Sequence, residues 1–442
     1  MQQNVTMSVV GCGYLGAVHA ASMASLGHRV VGLDIDANKI RSLESGTAPF
    51  FEPGLPELLL RDQENGSLEF STDFHAAAEA DLHFICVGTP QREGEHSANL
   101  DYVDAAFASI ASVAKEGAVL VGKSTVPVGT AERLSREVAA SRPDLTVAWN
   151  PEFLREGHAV EDTLRPDRLV YGVADPDAPS RAAELLDAVY ASAIEAGTPR
   201  LVVNLPTAEL VKTAANSFLA TKISFVNAMA EMCEVSGANV TQLADAIGHD
   251  ERIGRKFLNA GIGFGGGCLP KDIRAFSARA GELGAEEALT FLREIDLINM
   301  RRRSRAVEAM RQMAGGSLIG VTVGVLGTAF KPFSDDVRDS PALSIAQQLQ
   351  LQGATVRVTD PEAVENSRRR FPELSYTDSM EAAVSDADIV AVLTEWTEYR
   401  SLTPADLEPH VRGRRVFDGR NVLDWEAFAS AGWTYQGVGR SA

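Results

Sequence analysis

A chain of 442 residues, 45% apolar and 23% charged, has ordinary globular composition and enough length for two to four domains. Sixty acidic against 41 basic side chains leave a net charge of −19, which repels a polyphosphate backbone and excludes nucleic acid as a partner. No apolar run approaches the ~20 residues that span a bilayer, the N-terminus lacks the charged and apolar regions of a secretory signal, and Cys12, Cys86, Cys233 and Cys268 form no CxxC pair. The expectation is a cytoplasmic protein in a reducing compartment, with no membrane segment, disulfide scaffold or zinc spacing.

The first segment reads as strand, turn, helix, strand: VTMSVVG, GCGYLG, AVHAASMASLG and HRVVGLD. Gly11, Gly13 and Gly16 supply a sharp turn, a close approach of backbone to pyrophosphate, and tight helix–strand packing. Asp34 follows 18 residues after Gly16, where a carboxylate accepts hydrogen bonds from ribose hydroxyls. That carboxylate repels a 2′-phosphate and favours NAD over NADP, a preference softened by Lys39 and Arg41 nearby.

KSTVPVGT then ends a strand, so Ser124 and Thr125 either face a ligand or simply make a turn before proline. In NPEFLREG, Glu152 and Glu156 are four apart and are expected to share one face of a helical turn. They either divide acid and base work or favour a helix macrodipole. From Thr207 to about Gly237 the apolar spacing predicts a helix of ~30 residues, serving as a core helix or as a dimer surface. TQLADAIG, KDIRAFSARA and residues 286 to about 314 continue a helical middle domain, in which Arg301, Arg302 and Arg303 read as a solvated face.

Within RIGRKFLNAGIGFGGGCLPKD, the glycines from Gly261 to Gly267 leave backbone amides unobstructed, which suits a phosphate. Cys268, followed by Lys271 and Asp272, lies outside any apolar periodicity and is a candidate nucleophile, whereas the other three cysteines read as inert core. The last third repeats the plan of the first. Asp360 follows Gly353 by seven residues, as Asp34 follows Gly27, and ADIVAVLTEW and GRRVFDGRN echo ADLHFICVGTP and GAVLVGKSTVP. The second copy lacks the three-glycine turn and is expected to bind a different nucleotide, with Phe330, Lys331, Arg338 and Arg420 at its strand ends. Two nucleotide sites and one reactive thiol suggest an oxidoreductase. An aldehyde adds to the thiol, loses a second hydride to give a thioester, and is hydrolysed to acid.

The set GCGYLG, VGTP, STVPVGT, NPEFLREG, ELVKTAANSFLATKISFVNA, FGGGCLPKD, AFK and FDGR resembles the UDP-glucose/GDP-mannose dehydrogenase family, in order and over nearly the whole chain. The resemblance implies an α/β fold of two Rossmann-like parallel-sheet domains joined by a helical middle domain with a long central helix, with bounds 1–200, 201–315 and 316–442. It implies oxidation of UDP-glucose to UDP-glucuronate with two NAD per turnover. By motif, Cys268 is similar to the family's thiol, Thr125 and Asp272 would serve the water in proton transfer, Lys212 would stabilise an oxyanion, and Glu152 would act as base in hydrolysis. NAD would meet Gly11, Gly13, Tyr14, Leu15, Gly16, Asp34, Lys39, Thr89, Ser124, Thr125, Glu156, Lys271 and Arg338. The sugar nucleotide would meet Glu152, Phe153, Leu154, Glu156, Lys212, Asn216, Phe257, Asn259, Gly261, Gly263, Phe264, Gly265, Cys268, Phe330, Lys331 and Arg420. Arg252 would reach a neighbouring subunit's site, which implies a homodimer or higher homo-oligomer. Gly267 departs from the family's usual serine. The alternatives are the same chemistry on GDP-mannose or a UDP-N-acetyl sugar, a two-electron hydroxyacid dehydrogenase, and a non-catalytic nucleotide-binding protein.

Overall fold

Short runs rich in valine and leucine, bounded by glycine turns, form the strands of two sheets. A computed structural model describes residues 4–440, in two units: residues up to 215 with 278–283, and residues 216–277 with 284 onwards.

The first unit holds β1 (Thr6–Val10), β2 (Arg29–Leu33), β3 (Leu68–Ser71), β4 (Leu82–Ile85), β5 (Val119–Gly122), β6 (Thr146–Trp149), β7 (Leu169–Val173) and β8 (Arg200–Asn204). They lie in the order β3-β2-β1-β4-β5-β6-β7-β8. Because side chains alternate along β1, Met7 and Val9 enter the core on one face and Val10 enters the core on the other. The sheet is parallel as far as β6, but β7 pairs antiparallel with β6, and β8 runs with β7. This departs from a wholly parallel sheet. The chain turns back at the carboxyl end of β6 through the NPEFLREG loop and re-enters the sheet from that end.

The second unit holds β9 (Thr322–Leu326), β10 (Thr355–Thr359), β11 (Ser375–Tyr376), β12 (Ile389–Val392), β13 (Arg415–Asp418) and β14 (Thr434–Gly437), all parallel in the order β11-β10-β9-β12-β13-β14. Each sheet therefore reverses strand order beside its first strand, which is where doubly wound sheets bind ligands at their carboxyl ends. The repeat read in the sequence falls on equivalent strands, β4 with β12 and β5 with β13.

Five helices carry or adjoin the candidate residues: α1 (Tyr14–Ser25), α2 (Thr130–Ser141), α3 (Leu205–Ser236), α4 (Leu269–Glu282) and α5 (Thr290–Met313). The expected long helix is α3, 32 residues and so about 48 Å, with Pro206 in its first turn and Gly237 at positive φ just beyond its end. On α5, the reading of three solvated arginines fails. Arg302 and Arg303 are 3% and 4% exposed, on the same buried face as Asn299, Ala306 and Met310. Among the described residues, no helix is long and apolar enough to cross a membrane.

Candidate active site

In the first unit the three glycines of the opening turn do three jobs. Gly11 has φ +89°, and Gly16 leaves so little room that a Cβ would lie 2.0 Å from the Gly11 carbonyl oxygen. A Cβ at Gly13 would meet nothing within 4 Å, and no side chain caps the first amides of α1. That open cradle at a helix N-terminus fits a pyrophosphate. Asp34 completes it: Oδ2 accepts from the Cys12 N–H at 2.9 Å and the Lys39 ammonium at 2.6 Å, and Oδ1 accepts from the Asp36 N–H at 3.0 Å. The residues present therefore fit NAD, with a fixed carboxylate that would accept from ribose hydroxyls.

Tyr14 turns inward. Its hydroxyl donates to Glu52 and accepts from the Gly157 N–H, while Glu52 also accepts from the Ala159 N–H; Leu15 packs against the same core. Thr89 donates to the Thr125 carbonyl at 2.8 Å and Ser124 donates to the Val87 carbonyl at 2.7 Å, joining the loops after β4 and β5.

The segment 151–156 is loop, so Glu152 and Glu156 share no helical face. Glu152 instead folds back: Oε1 accepts from the Phe153 and Leu154 N–H groups at 2.6 and 2.7 Å, and Oε2 lies 3.0 Å from the Lys123 ammonium. Burial pushes this carboxyl up, but the Lys123 charge, its hydrogen bond, the Leu154 N–H and Lys212 together hold it below the usual glutamate value. Lys212, on α3, is buried with its ammonium 5.6 Å over the Phe153 ring, and Arg168 stacks on that ring at 3.8 Å. Glu156 is half-buried in the same loop.

In the second unit Cys268 is the exposed member of the four cysteines and immediately precedes α4, where the macrodipole favours negative charge. Its carbonyl accepts from the Asp272 N–H, one turn on. Asp272 is 2% exposed; it accepts from Asn216 Nδ2 at 2.6 Å and lies 2.9 Å from the Lys271 ammonium. The other three cysteines are buried, and burial pushes their thiols up, Cys86 to about 12.

The glycine-rich loop corrects the expectation of unobstructed amides. The N–H of Gly261 donates to Asn227, that of Ile262 to the Gly419 carbonyl, that of Phe264 to Asn299, that of Gly266 to the Arg338 carbonyl and that of Gly267 to Asp336. Asn299 also returns its Nδ2 to the Phe264 carbonyl at 3.0 Å, and Arg302 donates to the Gly261 carbonyl. The loop is a clamped wall more than a phosphate nest, because folding uses most of its donors.

Arg420, after β13, also ties backbone together, donating to the carbonyls of Leu393, Gly263 and Phe330 and lying 3.2 Å from Glu395. Lys331 lies over the Phe330 ring at 5.4 Å, and Arg338 forks onto Asp336. Arg252 is exposed and forks onto Asp250; Asn259 accepts from Arg255 at 2.8 Å, and Phe257 is exposed with φ +66°. The predicted residues thus form two sets. Gly11 to Gly16, Asp34, Lys39, Thr89, Ser124, Thr125, the Glu152–Glu156 loop and Lys212 belong to the first unit. Asn216, Arg252, the 257–272 segment, Phe330, Lys331, Arg338 and Arg420 belong to the second.

Three family models cover the chain in order: the NAD binding domain of the UDP-glucose/GDP-mannose dehydrogenase family over residues 5–194, its central domain over 206–301 and its UDP binding domain over 324–425. The UDP-glucose 6-dehydrogenase of Rhizobium meliloti (strain 1021) is 40% identical over 98% of this chain and 99% of its own length. This chain belongs to the UDP-glucose/GDP-mannose dehydrogenase family. A solved UDP-glucose dehydrogenase from the hyperthermophilic archaeon Pyrobaculum islandicum is similar over 100% of this chain and 99% of its own, at TM-score 0.89 and 38% identity. A UDP-D-ManNAc dehydrogenase from Pyrococcus horikoshii is similar over 98% of this chain and 99% of its own, at TM-score 0.85 and 27% identity.

As a family member the chain shows supporting residues that sequence reasoning passed over. Asn227 and Asn299 hold the glycine-rich loop, as does Arg302, which reads in sequence as part of a solvated face; polar residues at helical spacing among apolar ones carry no mark of being buried. Lys123 pairs with Glu152, and Asn150 and Tyr190 hold the Lys123 ammonium. A lysine at the end of β5, beside the predicted Ser124 and Thr125, marked that cluster, but its burial is visible only in the fold.

Proposed function

We propose that this chain oxidises UDP-glucose to UDP-glucuronate, reducing two NAD per sugar, through a thiohemiacetal and then a thioester on Cys268. The observation that carries this reading is Cys268 itself, an exposed thiol at the start of α4, one turn before a buried aspartate tied to Asn216. The activity for which the relatives are named supports UDP-glucose as the sugar nucleotide. NAD, when bound at the glycine turn and Asp34, supplies the hydride acceptor for both oxidations. The chain's own residues do the rest: Thr125 and Asp272 serve proton removal from the sugar hydroxyl, Lys212 stabilises the oxyanion, and Glu152 accepts a proton from the water that hydrolyses the thioester. We assign cofactor, linking and sugar-nucleotide roles to residues 1–200, 201–315 and 316–442, and the reaction to the cytoplasm.

The measurement that decides is NADH formed per sugar consumed, read across UDP-glucose, UDP-N-acetyl sugars and GDP-mannose. Two NADH per UDP-glucose is expected, with UDP-glucose fastest. One NADH removes the thioester, and a faster UDP-N-acetyl sugar moves the substrate to that class.

We infer a homodimer as well. Phe218, Phe225 and Met232 recur every seventh residue along α3 and are 66%, 47% and 58% exposed, with Val235 at 77%. An apolar stripe of that length on one helix suits a second copy of itself, and Arg252, exposed, would cross to the partner's site.

A further inference from the structure

Behind Glu152 lies an ammonium that the proposed reaction does not use. Lys123 is 4% exposed, and each of its donors meets an oxygen: Glu152 Oε2 at 3.0 Å, Asn150 Oδ1 at 3.1 Å and the Tyr190 hydroxyl at 3.3 Å. Tyr190 in turn donates to Asn150 at 2.7 Å, and Asn150 donates to the Val170 carbonyl at 3.0 Å. Every member of this cluster is therefore held, and a buried charge persists only when so paired. The other titratable groups facing it stay neutral: burial pushes Tyr190 and Cys86 up to about 12 and pushes His19 well down. Lys212 is the further cation acting on Glu152.

We propose that Lys123 is a positioning residue for thioester hydrolysis, fixing the orientation and charge of the Glu152 carboxylate so that one oxygen is always presented to water as a proton acceptor. The inference rests on the proposed role of Glu152 as the base in hydrolysis. Two backbone N–H groups hold Oε1 and the ammonium holds Oε2, so the carboxylate cannot rotate without breaking three contacts. In the step itself, water loses a proton to Glu152, its oxygen bonds to the thioester carbonyl carbon, and the carbon–sulfur bond breaks with the electron pair kept by Cys268. A carboxylate so fixed is ionised across the working range, and the hydrolysis rate is flat on the acid side.

Lys123→Met removes the ammonium and leaves the carboxyl buried. The expected result is a burst of two NADH per Cys268 followed by turnover slowed by about 100-fold, acyl-enzyme visible by mass spectrometry, and an acid limb moved to higher pH. Lys123→Arg restores the charge and most of the profile. A folded Lys123→Met enzyme with the wild-type pH profile overturns the proposal. Should that variant fail to fold, carbon-13 titration of the wild-type Glu152 carboxyl, identified by its loss in Glu152→Gln, serves instead. No inflection between pH 5 and 8 is expected, and one in that range overturns it. Glu152→Gln also separates the two claims. Unhindered hydrolysis there overturns the role of Glu152, whereas blocked hydrolysis there with an unchanged profile in Lys123→Met overturns that of Lys123 alone.

Discussion

A side chain added at Gly267 would bring Cβ within 2.2 Å of Cζ of Arg338, whereas one at Gly265 would lie 2.4 Å from the backbone oxygen of Asp339. The two glycines are adjacent in role but differ in what stands in the way. Arg338 is an exposed side chain whose far end can shift toward solvent, while the more buried Asp336 carboxylate also accepts from the Gly267 N–H, so little is lost, about 0–1 kcal/mol. Gly267→Ser, which restores the family's usual residue, should therefore leave the unfolding free energy within about 1 kcal/mol of wild type in a urea titration. Gly265→Ser meets backbone that cannot move aside and should cost roughly 1–3 kcal/mol in the same titration. Before the fold is known, both positions look like turn glycines. The distinction depends on residues more than 70 positions away, and no local pattern carries it.

The helices act mainly by holding loops. Glu209 on α3 accepts from the Gly129 and Ala131 N–H groups at the start of α2, both at 2.7 Å, and burial pushes its carboxyl up to about 7 despite those bonds. Its folded value stands above the unfolded one near 4.5, so the native state binds this proton more tightly. The stability it lends is full below about pH 4.5 and is lost as pH rises to about 7. Relative to Glu209→Gln, wild type should therefore lose about 2.5 kcal/mol between pH 5 and pH 8 in urea unfolding. On α5, Asn299 satisfies both the N–H and the carbonyl of Phe264. Asn299→Ala leaves two buried groups unpaired and should cost roughly 2–4 kcal/mol, with a raised KM for the sugar nucleotide reporting the loosened loop. The existence of α3 was legible from apolar spacing, and that of α5 as a further helix of the middle domain. Their loop-holding faces were not, because a polar residue on a buried face looks in sequence like any solvated one.

For the whole molecule, the stripe on α3 carries the prediction. Phe225→Glu combined with Met232→Lys adds charge at two exposed positions and leaves the buried face of α3 untouched. Light scattering on a sizing column should show wild type at twice the chain mass and the double variant at one chain mass, with helix content by circular dichroism unchanged. A wild-type monomer would refute the dimer. Both sheets were readable in advance, down to the equivalence of β4 with β12 and of β5 with β13, because hydrophobic period and glycine punctuation are local signals. The reversal at β7 was not, since strand direction depends on where the chain re-enters the sheet.

The sequence by itself determined two doubly wound sheets, the glycine turn with its acid at Asp34, the long helix and a thiol at position 268 set apart from any apolar pattern. Each of these is set by neighbours a few residues apart, through backbone permissiveness, apolar period or spacing. Tertiary structure alone decided which polar groups are consumed by the fold. It uses most amides of the glycine-rich loop, buries Arg302 and Arg303, folds Glu152 back on its own loop and sets Lys123 behind it. The physical reason is that a buried donor or acceptor must find a partner wherever the chain brings one, and those partners come from distant segments.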